Sequence, residues 1–187
     1  LDVLRLQGSA TTGTGNGLDN RLIGNSGGNL LAGLDGADKL YGYGGADTLQ
    51  GGAGDDFLYG GGGIDQIYGG AGRDILKGDL GADVFWFDDG DGAGLDYATA
   101  DRIMDFTQGT DRINLSLIDA IAGGADDVFT FIGSAAFTGL AGQLRYIQSP
   151  TQPIPAPEWT LILGDTNGDG VADFAIGIAA RITPVIT

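Results

Sequence analysis

Eight side chains that end in a carboxylate or an amide recur at intervals of nine residues in the first half of the chain. They are Asn20, Asn29, Asp38, Asp47, Asp56, Asp65, Asp74 and Asp83. Hard divalent cations such as calcium take about six to eight oxygen ligands, carboxylates and backbone carbonyls among them. The spacing therefore predicts a series of calcium sites, in which carbonyls exposed by the intervening loops complete the ligand set.

The same nine-residue period governs the residues around these side chains. Each nonad begins with Gly, from Gly15 to Gly78, and position 4 is Gly in seven of the eight, with Leu18 the exception. Position 6 carries the Asn or Asp, and position 8 is always large and apolar: Leu22, Leu31, Leu40, Leu49, Leu58, Ile67, Leu76 and Phe85. The nonads GGAGDDFLY (51–59) and GGAGRDILK (69–77), for example, fit the form G-G-x-G-x-D-x-U-x, with U apolar, at every fixed position.

This pattern predicts the elements that hold the oxygen ligands. Glycines in the first half of each nonad indicate a turn, and the x-U-x segment at positions 7 to 9 indicates a short strand with one buried face. Two nonads would form one coil of a solenoid, with two parallel sheets and position 8 between them. Alternate nonads then share an edge, so that one edge carries Asn20, Asp38, Asp56 and Asp74, and the other carries Asn29, Asp47, Asp65 and Asp83.

A cation explains these rows better than two alternatives do. A disordered Gly/Asp-rich tract does not require an apolar residue at every ninth position, and metal-free Asx turns do not explain stacked carboxylates. Carboxylates one coil apart, about 4.8 Å, repel each other by roughly 1 kcal/mol even at the dielectric constant of water. We expect calcium between successive loops, in three slots per edge, with the slots that use Asn20 or Asn29 the weakest because they lack one charge.

Composition narrows the classes of function. The chain has 25 acidic and 9 basic residues, a formal net charge of −16, and neither Cys nor His. Strong negative charge argues against nucleic acid or anionic membrane as a partner. The missing side chains exclude disulfides, imidazole or thiolate zinc sites, and Ser-His or Cys-His catalysis. No apolar run is long enough to span a membrane, no N-terminal signal pattern is visible, and the start at Leu1 indicates a piece of a longer protein.

Three regions follow from the period: a lead-in strand over 1–14, the roll of eight nonads over 15–86, and a capping and secretion region over 87–187. After Trp86 the period is lost, and strands are predicted at 102–106, 112–117, 128–132, 144–148, 159–163 and 174–179. One short helix is predicted over 116–122, and a proline-rich loop over 149–158. The predicted fold class is all-β, a parallel β-roll followed by a β-sandwich-like cap.

The nonad form resembles the calcium-binding repeat of RTX (repeats-in-toxin) proteins. The segments ADVFWF (82–87), DRIMDFTQGTDRINLS (101–116), FTFIGSAAFTGLAGQLRY (129–146) and GDTNGDGVADFAIGI (164–178) resemble the C-terminal region of serralysin-type secreted metalloproteases. This resemblance implies a calcium-loaded parallel β-roll, export by a type I secretion apparatus, and an extracellular location. It also implies that Asp101 closes the last calcium slot; a capped strand end is the alternative.

Two further acidic motifs have simpler explanations beside the functional ones. Asp165, Asn167 and Asp169 have the spacing of a calcium loop, but Ile176 stands where an EF-hand needs Glu, and a tight hairpin turn explains the residues equally well. The Asp126-Asp127 pair is typical of a solvated turn rather than an acid/base dyad.

The sequence thus predicts a non-catalytic, monomeric, calcium-binding module of a secreted multidomain bacterial protein. The alternative is a recognition module that binds an anionic, alginate-like polysaccharide. Its binding face would be one outward sheet surface, formed by Arg21, Lys39, Tyr41, Tyr59 and Lys77.

Overall fold

The computed structural model describes residues 3–89, 91, 94–121, 127–148, 158–180 and 182. This part of the chain is all β, with no helix and therefore no helical segment long and apolar enough to cross a membrane. Its strands are β1 (Val3–Arg5), β2 (Thr12–Thr14), β3 (Arg21–Ile23), β4 (Leu30–Asp35), β5 (Lys39–Gly44), β6 (Thr48–Ala53), β7 (Phe57–Gly62), β8 (Gln66–Ala71), β9 (Ile75–Leu80), β10 (Val84–Asp88), β11 (Asp101–Ile103), β12 (Arg112–Leu117), β13 (Thr130–Phe131), β14 (Gln143–Gln148), β15 (Thr160–Asp165) and β16 (Phe174–Ile178).

Odd and even strands separate into two sheets, as the repeat predicts. The first sheet has the order β1-β3-β5-β7-β9-β11-β16-β15-β14-β13, and the second has the order β12-β10-β8-β6-β4-β2. Within the roll, neighbouring strands are parallel and offset by eighteen residues, so that Leu22 pairs with Leu40 and Leu31 pairs with Leu49. The predicted parallel β-roll is confirmed.

The strands in the middle of the roll are longer than predicted. Lys39–Gly44, for example, continues from positions 7 to 9 of one nonad into positions 1 to 3 of the next. The pairing also continues there, because Leu34 pairs with Gly52 and Tyr43 pairs with Gly61. Only positions 4 to 6 leave the ladder. The left-handed backbone at position 2, with a φ of 77° at Tyr43, turns the chain while the pairing to the next coil persists.

The core of the roll is a narrow row of apolar side chains between the two sheets. All eight position-8 residues, from Leu22 to Phe85, have 0% of their surface exposed. Each coil contributes one such residue per sheet, which confirms the inside/outside assignment made from the period.

The C-terminal strands continue the roll. β11 pairs in parallel with β9, and β12 pairs in parallel with β10, so each adds a strand to one sheet. β16, β15 and β14 then extend the first sheet, joined to one another as antiparallel pairs. The predicted helix over 116–122 is wrong for its described residues, because Leu117 pairs with Asp88 at the end of β12, and this tertiary pairing overrides local preference. The proline-rich segment 149–157 lies outside the described residues.

Leu49 and Leu58 provide a test of this core, since both are fully buried at mid-roll. Leu49→Ala or Leu58→Ala should lower the free energy of unfolding of the calcium-loaded protein by about 2–5 kcal/mol, the usual cost of deleting a buried Leu side chain. The neighbouring Thr48 faces outward, so Thr48→Ala should cost less than about 1 kcal/mol. Urea unfolding in calcium measures all three, and a costlier Thr48→Ala would reverse the assignment of faces.

Candidate metal-binding edges

The Asn and Asp side chains at position 6 form one continuous row along each edge of the roll. In each row, the backbone N–H of one residue donates to the Oδ1 of its counterpart eighteen residues later. On the first edge, the N···O distances are 2.6 Å for Asn20 to Asp38, 2.7 Å for Asp38 to Asp56 and 2.8 Å for Asp56 to Asp74. On the second edge, they are 2.7 Å for Asn29 to Asp47, 2.8 Å for Asp47 to Asp65 and 2.9 Å for Asp65 to Asp83. These bonds stack the carboxylates and orient them identically.

Both rows continue beyond the nonads. Asp101 accepts from the N–H of Asp74 at 2.8 Å and extends the first edge. Asp111, which sequence reasoning missed, accepts from the N–H of Asp83 at 3.1 Å and extends the second edge. The sequence contains a signal for it: Asp-Arg-Ile occurs at 101–103 and again at 111–113, and each Ile pairs with a position-8 residue, Leu76 or Phe85.

The second carboxylate oxygen of the row is buried and has no partner. Among the described residues, this holds for the Oδ2 atoms of Asp38, Asp47, Asp56, Asp65, Asp74, Asp83 and Asp101. These seven residues are at most 3% exposed. An ionised oxygen removed from water without a partner is strongly unfavourable unless a counter-ion or a proton compensates it. A cation on the Oδ2 side satisfies this requirement.

Glycine at position 1 keeps a space open next to this oxygen. A Cβ atom added at Gly51 would overlap both the Oδ2 of Asp56 and the backbone carbonyl oxygen of Gly69 in the next coil. The equivalent atom at Gly33 would overlap the Oδ2 of Asp38 and the carbonyl oxygen of Gly51. A carboxylate oxygen and a carbonyl oxygen thus lie around one small gap in successive coils, which is the donor chemistry that calcium prefers.

Positions 2 and 4 turn further carbonyls toward the next coil. In the six nonads that begin at 33 to 78, both positions have positive φ, for example Gly52 at 118° and Gly54 at 132°. A Cβ at Gly52 would overlap the carbonyl oxygen of Leu34, and one at Gly54 would overlap that of Gly36. Glycine at positions 2 and 4 is therefore favoured both by backbone conformation and by the close approach of successive loops.

Side chains alone do not build a metal centre here. Across the described ranges, no group of three or more Asp or Glu side chains comes together in a way that could hold a metal ion. Each row supplies its carboxylates one coil at a time, so the loop carbonyls must provide most of the ligands in any site.

Burial raises the pKa values of the rows. It raises the pKa of Asp47, Asp65 and Asp83 to about 6. The pKa of Asp56 and of Asp101 is raised to about 7, and that of Asp74 to about 8, where the neighbouring Asp101 charge adds to the effect of burial. The pKa of Asp38 is raised as well, again mainly by burial. Without a cation, the buried rows therefore favour protons.

The other acidic motifs are differently arranged. Asp165 accepts from the N–H groups of Gly168 and Gly170, at 2.7 and 3.0 Å, and Asp173 accepts from Thr166 and Asn167. These oxygens close the hairpin between β15 and β16. Asp127 is exposed, which fits a solvated position, while Asp126 lies outside the described residues.

A parallel β-roll with a row of buried carboxylates on each edge is a solenoid suited to binding calcium between successive coils. The family described as the RTX calcium-binding nonapeptide repeat, four copies, matches at residues 14–49, 23–58, 33–67 and 59–93. Residues 14–93 are therefore RTX calcium-binding repeats, as the nonad form predicted.

Among the solved structures that are similar to the chain are two from the Azotobacter vinelandii mannuronan C5-epimerase. The AlgE6R2 subunit is 24% identical over 91% of this chain and 84% of its own length, with a TM-score of 0.47. The AlgE6R3 subunit is also 24% identical, over 88% of this chain and 72% of its own length, with a TM-score of 0.39. No curated protein matches the chain. The resemblance of the C-terminal region to serralysins stays a prediction.

Gly51→Ala should remove bound calcium, because its new methyl group occupies the gap beside the Oδ2 of Asp56. Gly62→Ala is the matched control, since its Cβ meets no atom closer than 3.9 Å and its φ is not positive. Calorimetric calcium titration should give fewer ions per molecule for Gly51→Ala and an unchanged number for Gly62→Ala. Equal numbers in both variants would contradict the assignment of the gap.

The calcium-free roll should be more stable at pH 5 than at pH 8. The carboxyl pKa values of the folded rows, about 6 to 8, exceed the unfolded value of about 3.9. The folded state therefore binds more protons than the unfolded state in this range, and its stability falls as pH rises through it. Circular dichroism of calcium-depleted protein, recorded from pH 8 down to pH 5, measures the trend as a β signal that grows on acidification, and Asp56→Asn should weaken this dependence. Stability that rises with pH would contradict it.

Proposed function

We propose that this chain is a non-catalytic module whose roll folds when calcium enters the gaps between successive loops. The observation that carries the proposal is the pair of rows of buried Oδ2 atoms without hydrogen-bond partners. The proposed ligands are the carboxylates of Asp38, Asp47, Asp56, Asp65, Asp74, Asp83 and Asp101, completed by loop carbonyls. The slots that use Asn20 and Asn29 have one carboxylate fewer and are the weakest.

Calcium supplies the positive charge that the stacked carboxylates need once they leave water. Without it, each ionised Asp faces its counterparts one coil away in a buried edge, and the narrow core offers little apolar surface in compensation. Successive slots share a carboxylate, so filling one slot orders half of the next. Folding is therefore steeply cooperative in calcium concentration.

This dependence suits a protein that folds only after export. Cytosolic calcium lies far below the roughly 10⁻⁴–10⁻³ M dissociation constants of extracellular calcium modules. The roll over 15–86 then stays unfolded inside the cell and can thread a type I secretion apparatus, while 87–187 caps it and carries the export signal. Outside the cell, calcium folds the monomeric module and stabilises its parent protein.

A calcium titration tests the switch. The β signal in circular dichroism should be absent in excess chelator and appear steeply as free calcium rises. Magnesium should substitute poorly, because it requires a smaller, nearly octahedral shell. A fully formed β signal in chelator, at neutral pH, would overturn the proposal and favour a module that is always folded.

A second candidate function, binding of an anionic polysaccharide, is favoured by the charge on the first sheet. Of the nine Lys and Arg in the sequence, five occupy positions 7 or 9 of described first-sheet strands: Arg5, Arg21, Lys39, Lys77 and Arg102. Concentrating cations on one face of a chain with net charge −16 makes that face the natural place for a polyanion.

Aromatic rings lie among these cations. The Arg21 guanidinium is 5.0 Å from the centroid of the Tyr41 ring, and the Lys77 ammonium is 4.7 Å from that of Tyr59. An open depression of about 330 Å³ lies beside them, lined by Lys39, Tyr41, Phe57, Ile75, Arg73, Asp55 and Asp56. Rings and cations together suit a sugar chain that carries carboxylates.

Alginate retardation in native gels tests this candidate in the presence of calcium. The double variant Arg21→Ala/Lys39→Ala should migrate freely where the wild type is retarded, and added salt should weaken the retardation. Arg112→Ala is the matched control, since Arg112 is exposed on the second sheet. Equal retardation of the double variant and the control would contradict a site on the first sheet.

A further inference from the structure

The eight turns of the roll fall into two conformational classes. The six that begin at residues 33 to 78 have positive φ at positions 2 and 4. In the turns that begin at Gly15 and Gly24, the corresponding residues Asn16, Leu18, Asn25 and Gly27 do not have positive φ. Although Gly27 is a glycine and could adopt this conformation freely, it does not, so the difference does not follow from the residue type alone.

Side-chain amides close the two exceptional turns. The Oδ1 of Asn20 accepts from the N–H of Asn16 at 2.7 Å, and its Nδ2 donates to the Oδ1 of Asn16 at 3.2 Å. The second turn repeats the pair: Asn29 accepts from the N–H of Asn25 at 2.8 Å and donates to its Oδ1 at 3.3 Å. An amide can make both bonds because it carries a donor and an acceptor, whereas a carboxylate carries acceptors only.

The Oδ1 atom of each of these amides occupies the place that the unpartnered Oδ2 of Asp has in the other turns. A Cβ added at Gly15 or Gly24 would overlap the Oδ1 of Asn20 or Asn29, just as one at Gly33 would overlap the Oδ2 of Asp38. The amide oxygen is already hydrogen bonded within its own turn, while the Asp38 oxygen has no partner. A cation is therefore needed at the turns that carry Asp and not at the two turns that carry Asn.

The same end of the roll is also closed by apolar packing and by a further amide. Gly13 lies level with Leu31 in the second sheet, and the side chains of Leu4 and Leu6 fill the space where its own would be. The Nδ2 of Asn25 donates to the carbonyl of Ala10 at 2.7 Å, which ties the lead-in segment to the second turn.

We infer that the turns at Gly15 and Gly24 are a cation-independent end of the roll, and that the calcium rows begin at Asp38 and Asp47. The inference rests on the proposed function in that it assigns where calcium binding starts. Asn20 and Asn29 then act as closing residues of their own turns. The slots that adjoin them, already the weakest because they lack one carboxylate, hold no cation.

One nonad allows a sharp test by conversion. Asn25→Gly/Asn29→Asp turns residues 24–32 into GGSGGDLLA, which fits the repeat form at every fixed position. Calorimetric titration should give one more calcium per molecule for this variant than for the wild type. Asn25→Ala/Asn29→Ala should leave the number unchanged, whereas Asp65→Ala, on the same edge, should lower it. A loss of calcium in the double Ala variant, or no gain on conversion in a folded variant, would overturn the inference.

Amide hydrogen exchange of the protein in calcium-containing buffer gives a readout that does not count ions. The N–H of Asn25 should be protected in the wild type, and Asn29→Ala should reduce that protection by about fivefold or more, since its acceptor is removed. Unchanged protection would reject the amide closure, even if the conversion variant did not fold. If the wild type bound no calcium, the proposed function would fail, while this exchange result would still decide whether the amides close the turn.

Discussion

The structure depends on what compensates the one buried carboxylate oxygen in each turn that carries Asp at position 6. Coil spacing brings each Asp next to its counterpart in the following coil, and the bond from backbone N–H to Oδ1 fixes its orientation. That bond leaves Oδ2 buried and without a partner. A proton or a cation can compensate the charge, but a proton allows a hydrogen bond to one loop carbonyl, whereas a cation can bind several at once. Stability of the roll is thereby tied to the solution around it rather than to its thin core.

The glycines follow from the same constraint. Loops that share a cation must approach closely, and a side chain at position 1, 2 or 4 would enter the space between them. Leu34, Tyr43 and Asp79 are the exceptions, with positive φ at position 2 although they are not glycines. The first two lie one coil above the amide-closed turns, where no left-handed residue stands beneath them. Such positions carry backbone strain that the surrounding ladder must hold.

Both ends of the roll replace missing neighbours with side chains. At the start, Leu6 packs over Gly13, and the Asn pairs close the turns. At the other end, the Asp105 carboxylate accepts from the N–H groups of Gly78 and Asp79, at 3.1 and 2.7 Å. In the first nonads, the N–H at position 1 donates instead to a carbonyl of the next coil, as from Gly15 to Ala32. Solenoids require such capping because their terminal coils lack a neighbour on one side.

The sequence by itself determined the roll, its strand register and its row of buried apolar side chains. A strict nine-residue period leaves only one way to place every position-8 residue between the sheets. It also determined the two edges and most of their carboxylates, including Asp101, which the family resemblance suggested. Asp111 was missed because the nine-residue period ends at Trp86. Only the pairing of β12 with β10 places Asp111 next to Asp83 in the row. The helix predicted over 116–122 failed for the same reason.

Tertiary structure alone decided how the turns differ. In the sequence, Asn at position 6 differs from Asp as an oxygen ligand only by one missing charge. In the structure, the amides bond within their own turn, whereas the carboxylates keep a buried oxygen without a partner. The conformation at positions 2 and 4 separates the two kinds, and it depends on contacts between coils that no local pattern records. The period already placed Arg21, Lys39 and Lys77 on one sheet face, whereas Arg5 and Arg102 join them only through the pairing of β1 with β3 and of β11 with β9.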